Sequence, residues 1–225
     1  MIYAVIPARS GSTRIKNKNI KNFLGKPIIS YPIKSIKKSK LFDKIIVSTD
    51  SEKIANIAQK YGAECPYIRP KKISGAFTIT VDVLLHAIKK LKLKKSDYIC
   101  CIYPTAVFLN FRNLITGYKK IVKSKYEACI SITKYDFPIQ RSLYKKKDNV
   151  YFKFKKYINF RSQDLQKTYH DAAQFYWFKV DTLIKQKTLY PKKLTGIEIS
   201  RLNTQDIDDL EDFELAKLKY IKYVK

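Results

Sequence analysis

"IYAVIPARSGSTRIKNKN" (residues 2–19) runs a short apolar segment straight into a loop crowded with hydrogen-bond donors. Residues 2–6 are apolar and rich in β-branched and aromatic side chains, the make-up of a buried strand. The loop then presents Arg9, Arg14, Lys16 and Lys18, the hydroxyls of Ser10, Ser12 and Thr13, and one glycine, Gly11. An ordinary surface turn does not need that density of donors; a site that must hold several negative oxygens does. Cations and backbone N–H groups gathered at a strand end suit a diphosphate or triphosphate. The spacing is not that of a Walker P-loop, because Ile20 stands in the first glycine position before Gly25-Lys26 and Pro27 follows the lysine. Nor is it G-x-G-x-x-G. Taken as pattern alone, the loop is either a phosphate cradle or a basic turn.

Downstream, strand and helix signals alternate. A helix is expected over about 28–40, a strand at "KIIVST" (44–49), then a helix capped by Asp50 or Ser51. That helix carries Ile54, Ile57, Ala58 and Tyr61 on one face and ends at Gly62. "CPYI" (65–68) reads as a short third strand, and Val81, Leu84, Leu85, Ile88 and Leu91 form a helical stripe. "DYICCIY" (97–103) is a buried strand, a helix follows over roughly 110–124, and "EACISIT" (127–133) is the next strand. Such a succession of βα units predicts an α/β fold of three layers, Rossmann-like, with a mainly parallel sheet covered on both faces. Ligands of such sheets lie beyond the carboxyl ends of the strands, where the opening loop would stand.

Residues 135–172 break the rhythm with aromatic and basic residues, and "LYKKKDNVYFKFKKYINF" alternates like a hairpin. The sheet is expected to resume at "AQFYWFKV" (173–180), and "IDDLEDFELAKLKYI" (207–221) to close the chain as a helix. With neither repeat nor Gly/Ser-rich linker, residues 1–225 read as a single domain carrying an excursion.

The 225 residues are 45% hydrophobic, enough for a large core, and carry a formal charge of +27. Such a charge raises nucleic-acid binding as a function. Against it, the chain holds 39 lysines spread end to end and only 7 arginines, whereas recognition surfaces concentrate arginine. Solvated helix faces account for the lysines, and the few arginines are the informative cations. No apolar run is long enough to cross a membrane, and the first residues do not read as a signal peptide. Cys65, Cys100, Cys101 and Cys129 form no C-x-x-C pair, which disfavours zinc and predicts reduced thiols in a cytoplasmic protein.

Asp206 and Asp208 stand two apart, so in an extended segment both side chains point the same way and can share a hard cation. Pattern alone favours a plainer role, in which Asp206, Asp208 or Asp209 caps the last helix. In "FRSQDLQKTYHDAAQFYW", Arg161 offers a planar fork for a carboxylate, as does Arg141 upstream. Gln163 and Gln174 could serve hydroxyl or acetamido groups, and Tyr169 and Tyr176 could form apolar walls. The run "FYW" equally reads as core. His170 and Asp171 are adjacent, so on a strand they face opposite ways and do not form a catalytic dyad.

"PARSGSTRIKNKNIKNFLGKPIISYPI", "LFDKIIVSTDSEKIANIAQKYGAECPYIRP" and "CCIYPTAVFL" together resemble the CMP-sugar synthetases of the CMP-sialate synthetase type, which use CTP to activate acid sugars. "DFPIQRSLY", "FRSQDLQKTYHDAAQFYW" and "DIDDLEDFELA" resemble the branch acting on pseudaminic acid. The resemblance runs in order along nearly the whole chain. It implies that the first loop wraps the CTP phosphates, with Arg9, Gly11, Ser12, Lys18 and Asn19 at matching positions and Arg14 and Thr105 close by. It assigns Asp206 and Asp208 to Mg²⁺, leaving Asp209 as the cap, and makes Arg9, Lys18 and the two aspartates the catalytic set. It places the sugar, a nonulosonic acid, near Arg141, Arg161, Gln163, Tyr169 and Gln174, and residues 135–170 at a homodimer interface reaching the partner's site. Sialic or legionaminic acid is the alternative sugar. Three loop positions depart from the family: Ser10 replaces a glycine, Thr13 a lysine and Lys16 a proline. The lost lysine leaves Arg14 or Lys16 to supply a cation, or a weaker hold on CTP. Val107 replaces a usual proline, and "RPKKISGAFTIT" lacks an acidic residue near Gly75-Ala76. No residue stands out as a general base.

Overall fold

Period-two alternation sends neighbouring side chains of each strand into different cores. In β1 (Ile2–Pro7), Ala4 and Ile6 pack on one face of the sheet, Tyr3 and Val5 on the other. In β5 (Tyr98–Ile102), Cys100 joins the first core and Cys101 the second. Both strands are buried on two sides, which explains their unbroken apolar runs. The structure, a computed structural model, describes residues 1–224.

Six strands make the main sheet, in the order β10 (Leu194–Glu198), β6 (Ala128–Lys134), β9 (Tyr169–Lys179), β5, β1 and β4 (Lys44–Ser48). All neighbouring pairs are parallel except those of β9, which runs antiparallel to β5 and β6. Helices α1 (Ser30–Ser39), α2 (Glu52–Lys60) and α4 (Phe111–Val122) cover one face. Helices α3 (Thr80–Lys90) and α5 (Val180–Gln186) cover the other, completing the three-layer α/β arrangement. Where α4 crosses β9, a Cβ at Gly117 would lie 2.9 Å from the Trp177 indole, so only glycine permits this approach. A third core joins the opening loop to α6 (Leu210–Tyr223) through Ile15, Phe23, Ile207 and Phe213. Phe23 belongs to a small ribbon, β2 (Asn22–Phe23) with β3 (Lys26–Pro27).

Four expectations need correction. "CPYI" forms no regular strand: only isolated bridges link Glu64 to Ile46 and Ile68 to Thr49, and Pro66 has no N–H to give a ladder. Strand β9 begins at Tyr169, four residues before the expected start. Its register with β6 shifts between Ile130 and Ile132, and Ala173 adopts φ 51°, held by its N–H to the Asp171 carboxylate. The last helix starts at Leu210 because Asp209 caps it, in a reciprocal box with Asp212. Finally, β10 and α5 were not anticipated; both are short and follow β9 without strong punctuation. Ser51, not Asp50, caps α2.

The excursion contains the expected hairpin, β7 (Leu143–Lys146) with β8 (Asn149–Phe152). Neither strand joins the main sheet, and Leu143, Tyr144, Val150 and Tyr151 are exposed.

Candidate active site

The parallel strands β1, β4 and β5 end on the same side, so the loops after Pro7, Ser48 and Ile102 converge. The first and last of these loops, with residues 69–83 and the Asp206–Asp208 segment, enclose a cleft of about 330 Å³. Arg9, Ser12, Arg14, Lys18 and Asn19 from the opening loop line it, with Thr105 from the loop after β5. Across from them stand Asp206 and Asp208. Gly11 is exposed outside the lining, and a Cβ there would meet nothing within 4 Å.

The loop's shape is fixed by internal hydrogen bonds rather than by regular structure. Asn19 is buried and donates from Nδ2 to the Arg9 carbonyl (2.8 Å), tying the two ends of the loop together. Ser10 donates from its backbone N–H and its hydroxyl to the two Asp50 oxygens (2.7 and 2.8 Å). Asp50 thus fastens the loop to the end of β4. Ile15 anchors the loop's middle in the third core, leaving its polar neighbours at the cleft.

The Asp206–Asp208 alternation is as expected for an extended segment. Ile207 between them is fully buried in the third core, and both carboxylates face the cleft. Lys18 donates to the Ile207 carbonyl (2.5 Å) and sits 3.6 Å from Asp208, while Arg14 donates to Asp208 at 2.8 Å. Burial raises the pKa of Asp206, the neighbouring Asp208 charge raises it further, and Lys18 opposes them. Two carboxylates that strain against each other are a fitting donor set for a cation. Among the described residues no group of three or more His, Cys, Asp or Glu side chains forms a metal cage. The pair therefore fits a Mg²⁺ that completes its shell with phosphate oxygens and water, not a structural metal.

Several cleft residues were not expected from the sequence, Arg69 first among them. Arg69 is 3% exposed, donates from Nε to Ser74 Oγ (3.0 Å), and has Nη1 buried with no partner among the described residues. Burial lowers its pKa, with Asp50 opposing, yet a guanidinium stays charged at neutral pH. An unpartnered buried donor at the wall of a cleft is free to bind a ligand acceptor. The signal was available: Arg69 is one of only seven arginines. Tyr103, whose hydroxyl lies 3.4 Å from Thr80 Oγ1, also lines the cleft.

The residues expected at the sugar do not join this cleft within one chain. Arg161 is 72% exposed and forms a bidentate pair with Asp164 (2.7 and 3.2 Å). Arg141 donates to Ser162 (3.1 Å), and Gln163 and Tyr169 are exposed. Arg141, Arg161 and Gln163 thus cluster on the excursion. Gln174 is buried, bonded to the Asn203 carbonyl (2.8 Å), with Oε1 unpartnered among the described residues. Tyr176 forms no cleft wall; it is core, its hydroxyl donating to Asp171 (2.6 Å). "FYW" is entirely buried, and Asp171 faces Tyr176 and Tyr190 while the His170 side chain is exposed, so no dyad forms.

The chain is similar to cytidylyltransferases over most of its length. A pseudaminic acid cytidylyltransferase of Campylobacter jejuni subsp. jejuni serotype O:2 is 40% identical over 190 residues, 80% of this chain and 82% of that protein. An N-acylneuraminate cytidylyltransferase of Escherichia coli O18:K1:H7 is 33% identical over 142 residues, 62% of this chain and 33% of that protein. Among solved structures, CMP:2-keto-3-deoxy-manno-octonic acid synthetase complexed with CTP superposes with a TM-score of 0.74 over 99% of both chains at 14% identity, a likeness of fold. The sequence model of the family described as Cytidylyltransferase matches residues 3–224, so this chain belongs to the cytidylyltransferase family and is a nucleotidyltransferase.

Proposed function

We propose that this enzyme transfers CMP from CTP to the anomeric hydroxyl of a nonulosonic acid, pseudaminic acid, releasing pyrophosphate. The observation that carries the reading is one cleft at the strand ends where Arg9, Arg14, Lys18 and Arg69 face the Asp206–Asp208 pair. The Campylobacter relative, at 40% identity, supports the sugar. In this reading Arg9, Ser12 and Lys18 hold the triphosphate and stabilise the departing pyrophosphate. Asp206 and Asp208 hold Mg²⁺, which when bound neutralises phosphate charge and acidifies the attacking hydroxyl. Arg69 fixes the nucleotide with its free Nη1. Transfer of this kind depends on in-line alignment and charge neutralisation, and the cleft residues supply both without a dedicated base.

The sugar half is completed by a second copy in a homodimer. The whole chain acts as one domain whose excursion, residues 135–170, lays Arg141, Arg161 and Gln163 against the partner's cleft, with Tyr169 as a further contact; Gln174, buried in its own chain, is not part of that surface. Exposed Phe137, Leu143, Val150 and Phe160 give that excursion an apolar face to bury. The cytoplasm is the proposed setting: all four cysteines are free, and burial pushes the Cys65 and Cys129 thiols up to about 11 and 12. No described helix is long and apolar enough to cross a membrane.

The test is incubation with CTP and Mg²⁺ against a panel of pseudaminic, sialic and legionaminic acids, with products identified by mass. CMP-pseudaminate as the main product supports the reading. A CMP-conjugate of another acid moves the sugar assignment, for which the Escherichia coli relative is the support. No conjugate with any acid overturns it.

A further inference from the structure

The family resemblance puts Thr13 at a position where lysine is usual, which would leave the cradle one cation short. Two replacements are possible in principle, and the structure separates them. Lys16 is exposed and does not line the cleft. Arg14 lines the cleft and spans 2.8 Å to Asp208 Oδ1, using one guanidinium nitrogen of a side chain that is 63% exposed. The same carboxylate is one of the two proposed metal ligands. Arg14 and a divalent ion therefore compete for one oxygen.

The geometry points to Arg14 as a displaceable counter-cation: it holds Asp208 until a divalent ion takes that carboxylate, and the freed guanidinium then binds the polyphosphate. This inference rests on the proposed metal role of Asp206 and Asp208. Three considerations carry it. Lys18 is not displaced in this way: its ammonium stays on the Ile207 carbonyl, 3.6 Å from Asp208, with donors left over for phosphate. The Arg14–Asp208 pair is solvent-exposed, and pairs of that kind are weak enough for a dication to break. A guanidinium, finally, presents several donors in a planar fork suited to phosphate oxygens, so the charge released from one anion is well shaped for the next. The device keeps Asp208 neutralised before substrate arrives and delivers a cation to the phosphates when the metal enters.

The proposal has an unusual signature, since removing Arg14 must help one ligand and harm another. The experiment compares wild type, Arg14→Ala, Arg14→Lys and Asp208→Asn. Mn²⁺ binding is measured without nucleotide from the free-ion electron paramagnetic resonance signal, titrated into the millimolar range. CTP binding with saturating Mg²⁺ is measured by calorimetry. Arg14→Ala is expected to bind Mn²⁺ about three- to tenfold more tightly and CTP about tenfold more weakly, because one positive charge has left both sites. Arg14→Lys should fall between wild type and alanine on both scales, and Asp208→Asn should lose Mn²⁺. Equal or weaker Mn²⁺ binding by Arg14→Ala, or unchanged CTP binding, overturns the inference while leaving the metal assignment intact. If neither wild type nor Arg14→Ala binds Mn²⁺, or if Asp208→Asn binds it as wild type does, the metal assignment and the inference fall together. A thermal melt confirms that each variant is folded.

Discussion

Arg69 in the cleft and Arg161 on the excursion are held in opposite ways. At the cleft, Arg69 is buried and has a donor to spare, and the Arg9 carbonyl is held by Asn19. On the excursion, Arg161 lies in solvent, with both ends of its fork occupied by Asp164 three residues away. The first region is built on ends of strands that the core holds rigid. The second is a hairpin and several single turns that join the sheet only through Tyr169 and His170, the start of β9. The cleft thus gathers its polar groups from several elements of one chain, whereas the excursion's arginines are bonded to neighbours on the excursion itself.

The largest effect that would sharpen this contrast is at Asp208. Asp208→Asn retains shape and loses a charged ligand, so turnover should fall about 10²–10³-fold. Its ion pair with Arg14 is exposed, so the thermal midpoint should move by no more than about 3 °C. Steady-state rates with Mg²⁺ and a melting curve check both. Turnover within about twofold of wild type would remove the metal from this cleft.

Next comes the excursion. If Arg161 exchanges Asp164 for a sugar carboxylate in the partner's cleft, Arg161→Ala should raise the sugar KM by about thirtyfold or more. CTP affinity by calorimetry should hold, and stability should change by less than about 0.5 kcal/mol because the pair is exposed. Arg161→Lys keeps the charge without the fork and should lie between. A collapse of CTP affinity with an unmoved sugar KM would put Arg161 at the phosphates and erase the distinction between the regions.

Arg69 gives a mirror-image result of smaller size. Arg69→Lys should raise the CTP KM by about tenfold, the worth of one charge-assisted hydrogen bond, with the sugar KM unmoved. Kinetics with each substrate varied in turn read the two apart. An effect on the sugar alone would show that the buried guanidinium does not serve the nucleotide.

What the sequence disclosed follows the same division. Strong periodicity marked β1, β5, β6 and the helices α1–α4, because elements buried on a face must repeat at their own period. The shared side of Asp206 and Asp208 was legible from their spacing, and the buried Ile207 between them is the reason it holds. Their metal role came only from the family resemblance. Arg69 was missed because its segment promised a strand, and its burial depends on contacts with Ser74 and Thr49 that no local pattern encodes. The antiparallel start of β9 was hidden for a related reason. Residues 169–172 look like loop until β6 pairs with them around a bulge. The excursion's arginines stood out as candidates for a carboxylate, but the sequence could not say that they would bond Ser162 and Asp164 and take no part in the cleft lining.

The smallest expected effect concerns Thr13, and it tests whether the cleft is complete. Thr13 lines the cleft, so a lysine placed there would reach the phosphates. If Arg14 already supplies the missing charge, Thr13→Lys should improve CTP affinity by less than about twofold, or roughly 0.4 kcal/mol. In the Arg14→Ala background the same change should recover most of the lost affinity, because the two cations serve one function and their effects cannot add. Calorimetric titration of CTP into the four members of this cycle, with Mg²⁺ saturating, measures the coupling directly. A tenfold gain from Thr13→Lys in the otherwise unaltered protein would mean that the loop is short of a cation. Arg14 would then belong to Asp208 alone, and the cleft would be as unfinished as the excursion.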